Sequence, residues 1–356
     1  MIGTMFTFLF AISIIMSVSC YLLRYQILNI LNTPSESYTY TMDYMVICIF
    51  GLIFIYGYNI VSAILRGMGD SRRPFVFIAI AAVINTVLDI FFVAFCHMGV
   101  AGAALATVIG QGASFVISIF YLYRRKEEFG FDFKRESFRI SGEVLKPLLV
   151  LGIPMAIQSA AINISKIVLT AWINAEGVVY SALAGIYNKS ALMMGIVSNS
   201  FTTAGSSMTG QSIGAEKYDR VPRILQVVLT IGLAITIVVS VMLYCFPDVV
   251  CSMFTSDRDV LAKASLVVMP VILNFFGCAT RSGAFSLING SGNSRLNLLV
   301  ALIDGVIGRI GLAALLGFVL NWRSVGFWYG DAVAGFAPIL IGTVFFLSGR
   351  WRKGAQ

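Results

Sequence analysis

Long apolar runs alternate with short polar connections along almost the whole chain. Ten of these runs are long enough to span a membrane as helices, near residues 4–30, 40–65, 74–96, 100–123, 145–173, 178–207, 222–247, 258–286, 295–320 and 325–348. A span needs about 20 mostly apolar residues to cross roughly 30 Å of hydrocarbon. Backbone N–H and C=O groups must be satisfied internally there, which leaves helices or closed barrels, and runs this long without period-2 alternation select helices. The first run is too long for a signal peptide and has no basic segment before it.

The pattern also repeats. Arg66-Gly67-Met68-Gly69-Asp70-Ser71-Arg72, after helix two, overlays Asn289-Gly290-Ser291-Gly292-Asn293-Ser294-Arg295, after helix eight, at an offset of 223 (289 − 66). Leu31-Asn32-Thr33 overlays Phe254-Thr255-Ser256 at the same offset, and Val100-Ala101-Gly102 overlays Ser324-Val325-Gly326 at 224 (324 − 100). Helices one to four therefore recur as helices seven to ten. Helices five and six lack partners, whose places would fall before Met1, so six plus six helices are expected in the complete plan and four plus six here. The expected fold class is an all-α polytopic membrane protein of two pseudo-symmetric helical bundles. An amino-terminal lobe is expected at 1–123, a cytoplasmic linker at 124–143 and a carboxyl-terminal lobe at 144–356. Duplicated bundles around a cavity are a common plan of secondary transporters, in which rocking of the halves gives alternating access.

Composition reinforces this picture. The 356 residues are 58% hydrophobic and 12% charged, against roughly 45–50% and 25% in a soluble domain. One His and six scattered Cys contain no CxxC or Cys/His cluster, so neither a transition-metal site nor a disulfide framework is expected. The net charge of +8 does not point to nucleic acid, because the basic residues lie between apolar runs and form no stripe. Most of the 25 Lys and Arg residues, among them Arg66, Arg72, Arg73, Arg124, Lys217, Arg295 and Arg350, fall on one face, which is expected to be cytoplasmic together with both termini. Lys166, Lys189, Arg281 and Arg309 remain inside spans.

At this point the residues resemble the multidrug and toxic compound extrusion family, in particular its DinF-like branch without the first two helices. The resemblance rests on Leu65-Arg66-Gly67-Met68-Gly69-Asp70-Ser71 followed by Pro74 and Asn85, on Gly152-Ile153-Pro154, and on Gly210-Gln211-Ser212-Ile213-Gly214-Ala215. It implies export of small amphipathic or cationic organic compounds from a monomer in a prokaryotic inner membrane. It also implies sodium or protons as the coupling ion, and no other cofactor.

Asn85 and Asp89 are spaced i, i+4 and so share one helical face. A carboxylate inside a span costs roughly 2.5–3.5 kcal/mol on insertion scales and marks an ion path or proton relay by default. Thr107, one turn into helix four, adds a hydroxyl. Carboxylate, amide and hydroxyl oxygens suit a hard cation such as sodium, and the same carboxyl can carry a proton. The resemblance implies that Asn85, Asp89 and Thr107 form an amino-lobe cation site. The family pattern adds an aspartate on its own first helix, which this chain lacks.

Asp304, Arg309, Asp331, Lys166, Lys189 and Arg281 are expected to form interhelical ion pairs, with substrate-path roles as the alternative. Pro154 and Pro270 are expected to kink helices five and eight. Asp70 and the glycines beside it are expected to serve turn geometry. A lipid-linked oligosaccharide flippase and a non-transporting fragment are the competing readings. An intramembrane enzyme has little support, since there is no HExxH or GxSxG and the single histidine is His97.

Overall fold

A computed structural model of the protein describes residues 2–30 and 35–353, and every regular element among them is helical. The amino-terminal side of the expected overlay at Leu31-Asn32-Thr33 lies outside the described residues. Nine helical stretches among the described residues are long and apolar enough to cross a membrane.

The chain divides into two compact units, Met1–Leu148 and Leu149–Gln356. In the first, α1 (Ile2–Leu22), α2 (Arg24–Ile30), α3 (Ser35–Gly67), α4 (Arg72–Asp89) and α5 (Gly99–Arg124) pack with α3 against both α1 and α5. The expected first span thus divides into α1 and α2 at Leu23. Tyr58, Val61, Leu65, Phe77 and Leu122 form the core of this bundle. Apolar burial drives helix association weakly in lipid, so close packing and polar contacts have to hold such bundles together.

The 124–143 connection lies with this first unit. Thr7 donates a hydrogen bond to the Phe138 carbonyl at 2.7 Å, Thr4 donates to Arg139 at 3.2 Å, and the Ser141 N–H donates back to Thr4 at 3.2 Å. Phe131, Phe133 and Phe138 meet edge to face with ring centroids 4.7–6.4 Å apart.

In the second unit, α6 (Gly142–Asn174) leads into α7 (Val178–Gly214), α8 (Arg220–Cys245) and the short α9 (Pro247–Ser252) and α10 (Arg258–Ala262). Then follow α11 (Ser265–Gly290), α12 (Ser294–Val300), α13 (Arg309–Ala314), α14 (Arg323–Ala334) and α15 (Ala337–Leu347). Helix α11 is the axis of this unit: 61% of its apolar window is buried, and it packs on α7, α8, α14 and α15. Pro154 and Pro270 lie within the continuous helices α6 and α11. The expected span at 178–207 forms as α7, with 37 residues, but its polar side chains keep it out of the nine apolar stretches.

The repeat holds at the level of single hydrogen bonds. Gly69 (φ 92°) and Gly292 (φ 71°) make the same left-handed turn, where a side chain would be strained. Just after it, the Asp70 side chain accepts from the Arg73 N–H at 3.2 Å, and the Asn293 side chain accepts from the Leu296 N–H at 3.0 Å. These pairs keep the offset of 223.

Further on, π-helical turns appear. Residues Ile90–Phe95 extend α4, Ala301–Gly308 separate α12 from α13, and Leu315–Val319 extend α13. The Cys96 N–H donates to Phe91 at 3.0 Å and the Leu320 N–H donates to Leu315 at 2.9 Å. His97 (φ 53°) corresponds to Asn321 (φ 57°). These pairs keep the offset of 224. A π turn takes one more residue than an α turn, so the unmatched Ala301–Gly308 segment absorbs the extra residue by which the second copy slips.

Candidate functional site

The amino-lobe candidates sit where α4 passes into its π turn. The Asn85 amide donates to the Thr107 hydroxyl at 3.3 Å, and that hydroxyl donates to the Ala103 carbonyl at 3.0 Å. Gly110 makes the contact possible: a Cβ there would come within 2.9 Å of the Ala81 carbonyl oxygen and 3.2 Å of the Asn85 Cβ. Asp89 closes α4, one turn beyond Asn85. Its Oδ1 is buried and has no hydrogen-bond partner. Leaving a buried acceptor unmade costs about 1–3 kcal/mol, more for a charged group.

The second unit gathers its charges differently. Arg309 lies between Asp304 and Asp331; the three are 1%, 0% and 2% exposed. The Arg309 guanidinium donates from Nη1 to Asp331 and lies 3.2 Å from Asp304 Oδ1 through Nη2. Arg281 Nη2 is 3.5 Å from Asp304 Oδ2. Neither Asp304 oxygen has hydrogen-bond geometry toward these groups, so Asp304 is neutralised by proximity of charge alone. The other Asp331 oxygen accepts from the Tyr187 hydroxyl at 2.6 Å and from the Asn274 amide at 3.4 Å. The result is the chain Arg281–Asp304–Arg309–Asp331 across α11, the π turn, α13 and α14.

A model of the family described as MatE matches residues 1–91 and 154–315. The chain belongs to the MatE family. It is 28% identical to the probable multidrug resistance protein YoeA of Bacillus subtilis (strain 168), over 99% of this chain and 77% of the relative. It is 23% identical to the probable multidrug resistance protein NorM of Thermotoga maritima, over 91% and 70%. The fold is that of the Vibrio cholerae MATE transporter VcmN in the bent form, with a TM-score of 0.83 at 16% identity over 99% of this chain and 80% of that one. It is equally that of an outward-facing multidrug resistance MATE family transporter of the MOP superfamily, with a TM-score of 0.84 at 19% identity over 99% and 79%. The protein is therefore a multi-pass membrane transporter of the multidrug-efflux MATE type.

Within this MATE chain the sequence-expected charges divide. Arg281, Asp304, Arg309 and Asp331 come together. Lys166 and Lys189 join no ion pair among the described residues, against the expectation that they would: Lys166 is half-buried on α6 and Lys189 is exposed on α7. The Tyr187 and Asn274 contacts were not legible in the sequence, because neutral polar residues are frequent in these spans and nothing along the chain marks which of them meet a charge. Helix α7 exposes Lys189, Asn199, Ser200 and Thr203, with the exposed apolar side chains Leu192, Met193 and Ile196 between Lys189 and the others. A lysine against lipid at mid-span costs roughly 2.5–3.5 kcal/mol, which sets Lys189 apart from the apolar side chains beside it. Among the described residues no group of three or more His, Cys, Asp or Glu is placed to hold a metal ion.

Proposed function

We propose that the chain works as a secondary active exporter of amphipathic or cationic organic compounds across a prokaryotic cytoplasmic membrane, driven by inward flow of sodium or protons. Asp89 carries the coupling ion, Asn85 and Thr107 complete its oxygen shell, and the two lobes alternate access to the two sides. Both termini face the cytoplasm, on the side where most Lys and Arg residues lie.

The observation that carries this reading is the buried Asp89 Oδ1 without a hydrogen-bond partner, one turn from the Asn85–Thr107 contact. A structural carboxylate inside a span would pair with a basic group, as Asp331 pairs with Arg309. Uptake of a fluorescent cation into inverted vesicles, driven by sodium or protons flowing out of the lumen, tests the assignment. Asp89→Asn is expected to abolish gradient-driven movement at unchanged protein level; undiminished efflux by that variant would remove Asp89 from the mechanism.

A further inference from the structure

We propose that Arg309 is a tethered cation that permanently fills the carboxyl lobe's counterpart of the Asp89 site, so that this lobe exchanges no coupling ion. The inference rests on the reading of Asp89 as the exchangeable site.

The register between the copies is fixed on both flanks of the site. The π turn at Leu315–Val319 matches that at Ile90–Phe95, with the bonds Leu320 to Leu315 and Cys96 to Phe91. Ser324, at the start of the following helix, matches Val100. With the offset of 224, Asn85 maps to Arg309 (85 + 224), Thr107 to Asp331 (107 + 224) and Asp89 to Ala313 (89 + 224). The Asn85–Thr107 hydrogen bond between α4 and α5 therefore recurs as the Arg309–Asp331 ion pair between α13 and α14.

The acid itself has changed place. Ala313 is fully buried, and Gly330 of α14 lies so close to it that an added Cβ would come 2.8 Å from the Leu312 carbonyl carbon. The carboxyl copy thus has a methyl group, tightly packed, where the amino copy has its carboxylate. The charge sits instead on Asp331 and on Asp304, inside the additional π turn that the amino copy does not have. The guanidinium lies between these carboxylates as a bound cation would, and cannot leave because it is covalently attached. Arg281 lies 3.5 Å from the far oxygen of Asp304 as a charge neighbour without a hydrogen bond, Tyr187 and Asn274 donate to that of Asp331, and Cys278 lies against Asn274. No carboxylate oxygen of Asp331 is left to take up an exchangeable ion.

Ion counting on purified protein tests this, using radiolabelled sodium for bound cation and a pH-indicator dye for protons exchanged, with the Asp89→Asn chain as background. That chain is expected to bind and exchange no ion. Adding Arg309→Asn, which restores the amide found in the amino copy, is expected to create a sodium-dependent rise of several degrees in melting midpoint; Arg309→Lys, which keeps a tethered cation, should show none. An Arg309→Asn chain that folds without any sodium response overturns the inference. So does an ion still held by Asp89→Asn and then lost on adding Asp331→Asn. An ion held by both of these variants overturns the Asp89 assignment and leaves the inference on Arg309 standing. If Arg309→Asn does not fold, the count on Asp89→Asn with native Arg309 decides.

Discussion

Arg309 and Asn85 occupy the same turn of the same helix in two copies of one bundle, and each reaches across to the following helix. Asn85 meets a hydroxyl, Thr107, at 3.3 Å; Arg309 meets a carboxylate, Asp331. One copy thus holds a neutral contact beside a lone acid, and the other a closed chain of alternating charges. Buried ion pairs are costly to break, at about 3–5 kcal/mol when one partner is removed, whereas a neutral amide–hydroxyl contact is worth about 0.5–1.5 kcal/mol. The amino copy is therefore held together by the cheaper contact to break.

Gly110 sets the geometry of the amino-lobe site. Gly110→Val is expected to push α5 from α4, cost about 1–3 kcal/mol as an overpacked core does, and weaken ion-dependent efflux severalfold. Gly112→Ala is the control, since a Cβ there meets only Phe54 at 3.7 Å, an ordinary contact. Melting midpoints and efflux rates of both variants check this; equal loss in the two would show that Gly110 has no special role.

Tyr187 supplies the second hydrogen bond to Asp331. Tyr187→Phe is expected to destabilise the carboxyl lobe by about 1.5–3 kcal/mol, the range for a hydrogen bond to a charged group, without changing the ion dependence of transport. Chemical unfolding in detergent reads the first effect and transport at graded sodium and pH the second.

Asp70 caps α4 as Asn293 caps α12. Burial pushes the Asp70 carboxyl up, but the Arg73 guanidinium at 2.5 Å and the backbone N–H donors hold it below the usual carboxylate range. A carboxyl lowered in the folded state contributes stability above its unfolded value, about 3.9, and loses it as the pH falls through the folded one. Asp70→Asn is expected to keep the cap and lose part of this acid sensitivity, while Asp70→Ala costs about 0.5–2 kcal/mol at neutral pH. Midpoints across a pH series compare the three proteins.

Ser200 and Thr203 on α7 are expected to meet water. With the six native cysteines replaced, cysteines at Ser200 and Thr203 are expected to react with a membrane-impermeant maleimide, and a cysteine at Val238, 60% exposed on apolar α8, to remain unlabelled. Labelling at Val238 alone would reverse the assignment of wet and lipid-facing surfaces.

What the sequence determined by itself is what depends on local order along the chain. Hydropathy over about 20 residues placed the spans, because the bilayer imposes its thickness on each segment separately. Helical periodicity put Asn85 and Asp89 on one face, and the turns around Gly69 and Gly292 revealed the duplication, because special backbone angles demand particular residues. Even the slip of the repeat from 223 to 224 was visible. Only the tertiary structure decided where that extra residue goes, since a π turn is selected by the neighbours that pack on it and not by composition. It also decided which charges pair. Two acids and four bases inside the carboxyl-lobe spans allow many pairings of similar local cost, and the choice of Arg281, Asp304, Arg309 and Asp331, with Lys166 and Lys189 left out, follows from contacts between helices far apart in the chain.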